Sequence, residues 1–309
     1  MKRKGSKMKR SLVLGGGGAK IGWASGVLQV LMDEAKIRFD HIDATSGSVF
    51  NLAMLLSGRS ATYIATEAWG NLNPREFLSF HPFWSYVTFW RLPSMLTQEA
   101  ARTHIIPKWG IDLEKIRTCK EMGGHPVVAT FNTCDFNAKR VVTFKSSEMN
   151  LDRLLAVDAV PGVVPPVAAD GTLYVDAMLL KDANLSEAVK QGADEIWVIW
   201  TVEERSEWRG GFLHHFGHVF EICAVGNLKR ELDAIERVNA LVKAGTAAPD
   251  QRHITVHLIK PEQRLPVDYL FFRNRQEMLP VIESGRVAAR KYLADNHLAP
   301  AASPAAAAG

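Results

Sequence analysis

Cysteine is scarce in this chain, long uncharged apolar runs are missing, and no internal repeat is visible. Cys119, Cys134 and Cys223 are the only three thiols in 309 residues, and they share no paired spacing. That argues against a disulfide scaffold and fits buried thiols in a reducing compartment. No stretch of about twenty uncharged apolar residues occurs, so a membrane span is not expected. No Pro/Gly/Ser linker interrupts the chain either. With 47% hydrophobic residues, it reads as one soluble enzyme-sized domain able to bury a large core. Acidic and basic residues nearly balance. The formal charge is +4, but Lys2, Arg3, Lys4, Lys7, Lys9 and Arg10 supply six positive charges, and subtracting them leaves a body at −2. A basic arm on a near-neutral body gives no footprint for nucleic acid. It suits contact with anionic lipid or plain solvation. It does not read as a signal peptide, because the apolar run behind it is broken by four glycines and Lys20. The expectation is a cytoplasmic protein, peripheral to a membrane at most.

The glycine stretch Leu14-Gly15-Gly16-Gly17-Gly18-Ala19-Lys20 is informative through what it lacks. A dinucleotide fingerprint needs glycines at i, i+2 and i+5, and no starting point in the run supplies all three. A phosphate-binding P-loop needs Gly-Lys followed by Ser or Thr, whereas here Ala19-Lys20-Ile21 stands, with no hydroxyl for magnesium. What is present is an apolar strand, four glycines, then a helical pattern of Trp23, Val27, Leu28, Val30 and Leu31. Strand, glycine loop and helix N-terminus together make an anion cradle, in which backbone N–H groups converge because no Cβ blocks the approach.

A second strand-to-helix turn follows within thirty residues. Phe39 to Asp43 reads as a strand and Val49 to Leu56 as a helix, with Ala44-Thr45-Ser46-Gly47-Ser48 between them. A serine flanked only by small residues at such a turn has the setting of a nucleophile elbow. The motif alone is weak: an ordinary helix N-cap at Thr45, Ser46 or Ser48 competes with it.

Histidines offer rival chemistry. Asp176 followed by His253 or His257 would give the chain order of a Ser-Asp-His triad. Yet Arg252 to Ile259 alternates like a strand, and the four-residue spacing turns both histidines to one side, where a paired surface role competes with catalysis. His214 and His218 stand one helical turn apart but lack acidic or cysteine ligands at matching spacing. Residues 212–220 read as an aromatic-rich loop or lid rather than a zinc site. Finally, residues 77–90 hold seven aromatics with Pro82 among them. A regular core period is broken there, so a cap over an acyl-chain channel or an interfacial patch competes with simple core packing.

With Tyr174-Val175-Asp176-Ala177-Met178 added to these segments, the chain resembles the patatin-like phospholipase family nearly from end to end. The resemblance rests on Leu14 to Lys20 with Gly26-Val27-Leu28, Ala44 to Ser48 with Asn51, and Val127 to Thr130 with Asn132. It continues through Ala159 to Val167, Tyr174 to Asp176, and Ile282-Glu283-Ser284-Gly285 with Ala288-Ala289. It implies a three-layer α/β/α fold with a mainly parallel central sheet flanked by helices on both faces. It also implies a serine acyl hydrolase of lipid esters. In that scheme Ser46 is the nucleophile, Asp176 its base in a Ser-Asp dyad, and Gly15, Gly16, Gly17 and Gly18 the oxyanion loop. Neither a metal nor an organic cofactor is implied. Lys20, just past the loop, would favour an anionic headgroup or face water. The alternatives are an acyltransferase using the same acyl-Ser46 intermediate and a degenerate lipid-binding protein. The second is motivated by departures, since the family usually carries glycine where this chain has Ile21, Ala44, Ser48 and Ala177, and often at Met178. An alanine forced to positive φ at 177 would add strain of order 1 kcal/mol. The expected division is a basic disordered arm over 1–10, the acyl hydrolase domain over 11–297 and an Ala/Pro-rich disordered tail over 298–309. The expected partners are a lipid ester and a membrane surface met through 77–90 and the arm.

Overall fold

A computed structural model describes residues 8–203, 207–208, 210–267 and 274–298. Most of the expected arm and tail therefore lies outside the described residues. Within the arm, Arg10 already opens the first strand and pairs with Glu195 at 2.8 Å, and the Lys9 amide donates to Asp194 at 2.9 Å.

The sheet is mixed and mostly parallel. Strands β1 (Arg10–Leu14), β2 (His41–Thr45), β3 (Val128–Asp135), β7 (Glu195–Ile199) and β8 (Thr255–Ile259) run in one direction, in the order β8-β7-β1-β2-β3. Strand β4 (Arg140–Lys145) pairs antiparallel with β3, and the hairpin β5 (Val167–Ala169) and β6 (Thr172–Asp176) joins β3 through β6, also antiparallel. The first strands are followed by α1 (Ile21–Leu28) and α2 (Ser48–Leu56). Later helices are α3 (Leu151–Val157), α4 (Leu185–Lys190), α5 (Phe212–Ala244) and α6 (Arg275–Asp295). Asparagine caps three of them: Asn150, Asn184 and Asn274 accept from the N–H groups of Arg153, Glu187 and Glu277.

Side-chain alternation along the strands produces two cores, one on each face. Leu12, Leu14, Ile42, Ala44, Phe131, Trp197 and Ile199 pack with α1, α2 and α6. Val13, Ile196 and Val198 point the other way, into a second core with Leu185 and Ala188 of α4 and Ala224, Leu228 and Ile235 of α5. That is the three-layer arrangement the sequence led us to expect. On the second face β2 and β3 also carry a buried polar ladder. His41 meets Ser11 (3.2 Å) and Thr130 (2.8 Å), and the Asp43 carboxyl accepts from Thr130 (2.5 Å) and Asn132 (2.6 Å).

One edge of β3 decides where the chemistry lies. Residues 128–132 pair with β2, up to Thr45 opposite Asn132. Residues 133–135 pair with β6, beginning with Asp176 opposite Thr133. Because β4 takes up the other edge of the same residues, β2 and β6 lie end to end along one edge and point at each other. Their last residues, Thr45 and Asp176, face consecutive residues of β3.

Candidate active site

Ser46 follows β2 directly and has φ of +58°. Left-handed backbone is unfavourable for a serine and is the strained turn that a nucleophile elbow requires. The residue is 2% exposed and α2 starts two residues later, at Ser48. Asp176, equally buried, arrives from β6. Its Oδ1 accepts from the Met178 N–H at 2.9 Å, and its Oδ2 has no hydrogen-bond partner among the described residues. Burial pushes the Asp176 carboxyl up to about 7, while the Ser46 hydroxyl and the Met178 amide pull it back down. The Ser46 hydroxyl thus acts on the carboxyl without closing an aligned bond on Oδ2.

The glycine loop is held by its carbonyls. The Gly15 carbonyl accepts from Ser48 Oγ (2.5 Å), the Gly16 carbonyl from Thr201 Oγ1 (2.6 Å) and the Gly17 carbonyl from the Lys20 N–H (3.0 Å). In a planar trans peptide the N–H of the next residue points opposite to the carbonyl. Pinning these three oxygens therefore aims the amides of Gly16, Gly17 and Gly18 away from the pins. The Gly15 amide is spent on Ile199 O (3.0 Å) and the Gly16 amide on Asp182 O (3.3 Å). Gly17 and Gly18 stand at the start of the turn Gly18–Lys20 that feeds α1, where the first N–H groups lack intrahelical partners. Of the four expected donors, two are thereby committed elsewhere. Gly17 itself has φ of +152°, and a Cβ there would overlap Thr201 Oγ1.

Two further carboxyls surround the pair. Asp182 is 1% exposed, neither of its carboxyl oxygens has a hydrogen-bond partner among the described residues, and its carboxyl lies against the same Gly16 Cα that Ser46 Cβ approaches. Burial and the Asp176 charge raise it to about 8, against a small opposing pull from the Gly16 amide. Asp158 is raised well above its usual range, by burial first and then by Asp176. A cavity of about 330 Å³ lined by Met32, Arg38, Leu56, Arg59 and His125 opens at the start of β2, the end away from Ser46, and shares no lining residue with this site.

The family profile of patatin-like phospholipases matches residues 12–189, more than half of the chain. The chain belongs to the patatin-like phospholipase family. None of the curated proteins matches it in sequence. Among solved structures, VipD from Legionella pneumophila superposes with a TM-score of 0.50 at 11% identity, over 94% of this chain and 67% of that one. The type III effector ExoU gives 0.44 at 13% identity, over 95% of this chain and 54% of that one. ExoU bound to SpcU, from Pseudomonas aeruginosa, gives 0.31 at 16%, over 94% and 61%. The VipD likeness is one of fold, and this patatin-like chain spans little more than half of the ExoU chain in the second comparison.

Three of the departures from the family's glycines acquire physical explanations. Ala177 has φ of −75°, so its methyl group costs no backbone strain. Ser48 supplies the hydroxyl that pins Gly15. The Met178 amide orients Asp176, and its side chain packs with Leu96, Val163 and Phe220. Other expectations are corrected. Lys20 neither faces water nor awaits a headgroup: its side chain is 4% exposed and Nζ lies 3.4 Å from Glu203 and 3.7 Å from Glu221. Residues 212–220 form no loop but the start of the 33-residue helix α5. His253 precedes β8 rather than lying in it. His257 is taken up by Glu195 (3.0 Å), by the Tyr292 hydroxyl (3.1 Å) and by stacking on Trp197. Thr201 and Asp182 were missed in the sequence. The only local signal was their place just beyond a strand or helix that ends at the glycine loop.

Proposed function

We propose that the chain is a serine acyl hydrolase of lipid esters in which Ser46 and Asp176 form a dyad. The observation that carries this reading is the +58° φ of Ser46 at the end of β2, met head-on by the strand that ends in Asp176. Ser46 Oγ attacks the ester carbonyl and its proton passes to Asp176 Oδ2, the oxygen left without a partner. The tetrahedral oxyanion is received by the Gly17 and Gly18 amides, each such donor being worth about 3 kcal/mol of barrier. As the intermediate collapses, Asp176 returns the proton to the departing alkoxide and acyl-Ser46 remains. Water then attacks, gives its proton to Asp176, and a fatty acid leaves as Ser46 recovers its hydrogen. A carboxyl near 7 suits this traffic, since it accepts and releases a proton close to neutrality.

The test is intact-mass detection of a fluorophosphonate adduct on wild type, Ser46→Ala and Asp176→Asn, followed by fatty acid release from mixed phospholipid vesicles. Adduct on wild type, none on Ser46→Ala and little on Asp176→Asn is the expected pattern. A folded wild type that takes no label would sink the reading and favour a lipid-binding protein. Transfer instead of hydrolysis would show as an acylated alcohol when one is supplied.

A further inference from the structure

The acyl chemistry leaves the exposed aromatic segment beside the site unexplained. Residues 77–98 contain no aspartate or glutamate, and they expose Phe80, Phe83, Trp84, Val87 and Trp90 by between 63% and 80%. Soluble proteins seldom show so many large apolar side chains together without a use. These are not loose ends, because the segment is fastened from within. The Tyr86 hydroxyl accepts from the His81 N–H (3.1 Å) and donates to the Met95 carbonyl (2.8 Å). Ser79 and Thr97 are triply joined: Ser79 Oγ donates to the Thr97 carbonyl and the Thr97 N–H to the Ser79 carbonyl, both at 2.9 Å, and Thr97 Oγ1 donates to Ser79 Oγ at 2.7 Å. The Met95 and Leu96 amides donate to the Gly162 and Val163 carbonyls at 2.9 and 2.7 Å. Leu96 then packs with Val163, Phe220 and Met178, and Met178 holds Asp176. A short apolar relay therefore joins the outer rings to the dyad.

We propose that residues 80–91 are a docking platform for the surface of an anionic phospholipid bilayer. The inference rests on reading the chain as a lipid acyl hydrolase, whose substrate would lie in that bilayer. Residue chemistry favours this occupant over a protein. Tryptophan suits the headgroup level, where its ring is half solvated. Rings that stand out from a short 3-10 helix, Phe83–Arg91, kinked at Thr88, insert among lipids more readily than they match a flat protein face. Charge is complementary: exposed Arg75 and Arg91 flank the rings, and no acid lies between residues 77 and 98 to repel lipid phosphate.

The test uses the full chain with Ser46→Ala, so that bound vesicles are not hydrolysed. Co-sedimentation is measured with phosphatidylcholine vesicles and with phosphatidylcholine mixed with phosphatidylglycerol. The double variant Phe83→Ser, Trp84→Ser should weaken vesicle affinity by about tenfold or more, as loss of two inserted rings implies. Arg91→Glu should remove part of the gain from phosphatidylglycerol, the part that added salt also removes. In the Ser46 enzyme, hydrolysis of a soluble short-chain nitrophenyl ester should stay within about twofold in both variants, since neither touches the site. Unchanged vesicle affinity in the double variant would overturn the proposal, as would indifference to phosphatidylglycerol. A wild-type dimer that the double variant abolishes, with vesicle binding intact, would reassign the patch to self-association. If wild type hydrolyses neither ester nor vesicle lipid but binding still follows these variants, the hydrolase reading falls and the platform stands.

Discussion

Asp176 shows how far one residue's surroundings set its use. With the carboxyl held near 7 by burial, the proposed base works only when ionised. We expect kcat/KM to rise about tenfold per pH unit below 7 and to level off above it, for a substrate without titrating groups. A profile that is flat from pH 5 to 8 would remove Asp176 from the role of base. Thr201 acts one step back, by pinning the Gly16 carbonyl and so aiming the Gly17 N–H. Thr201→Val keeps the shape and removes the pin. It should lower kcat about 10- to 100-fold with KM little changed, less than the roughly 100- to 1000-fold of losing a donor outright, because the amide stays and loses only its aim. An equal loss in Thr201→Ser, which keeps the hydroxyl, would point to packing instead. At this scale the sequence was readable only in part. Small residues around Ser46 announced the elbow, because strain and crowding at the turn demand them. Asp176 came through family resemblance, and Thr201 and Asp182 were hidden, since crossovers of well over a hundred residues bring them to the loop.

Among elements, the crossing of α1 with α6 is the tightest. A Cβ at Gly26 would overlap the Ile282 carbonyl, and one at Gly285 the Trp23 carbonyl. Both obstacles are backbone, so the helices themselves would have to separate. Gly285→Ala should cost about 1–3 kcal/mol of stability by overpacking. By contrast Gly226→Ala, on α5 with open space around it, should gain roughly 0.5–1 kcal/mol from helix propensity. Denaturant titration of the two variants checks both signs. Strands β1 and β2 and the first two helices were legible because apolar runs and glycine breaks mark a buried parallel sheet, whereas the antiparallel strands β4, β5 and β6 carry no such run. Helix α5 was not. Gly217 and a cluster of histidines and aromatics conceal its period at the start, and its inner face shows only in what it covers, the Met178 region through Phe220 and the second sheet core through Ala224, Leu228 and Ile235.

For the whole molecule, the buried carboxyls set a pH dependence of folding. Asp43 and Asp182 are raised to about 8 and Asp176 to about 7, from an ordinary 3.8, chiefly by burial. Each is protonated in the fold at pH values where it is ionised in the unfolded chain. The unfolded state then binds fewer protons, so stability falls as pH rises through their folded values. His41, lowered by burial to about 4, and His257, also lowered, work in the opposite sense. Their contribution is complete above their ordinary 6.5. Stability should therefore decline between about pH 6.5 and 8, and Asp182→Asn should flatten that decline. Urea unfolding at pH 6.5 and 8 would show it, and a parallel loss in wild type and variant would deny Asp182 a share.

Strand β3 can also be regarded as a measuring rod. Asp176 and Thr45, the residue just before Ser46, hang from its one edge at consecutive notches, so the separation of the pair is graduated by main-chain hydrogen bonds and not by either side chain. One residue inserted between Asn132 and Thr133 would lengthen the rod by about 3.3 Å and turn the next notch to the opposite face. The pair would part with both of its members untouched.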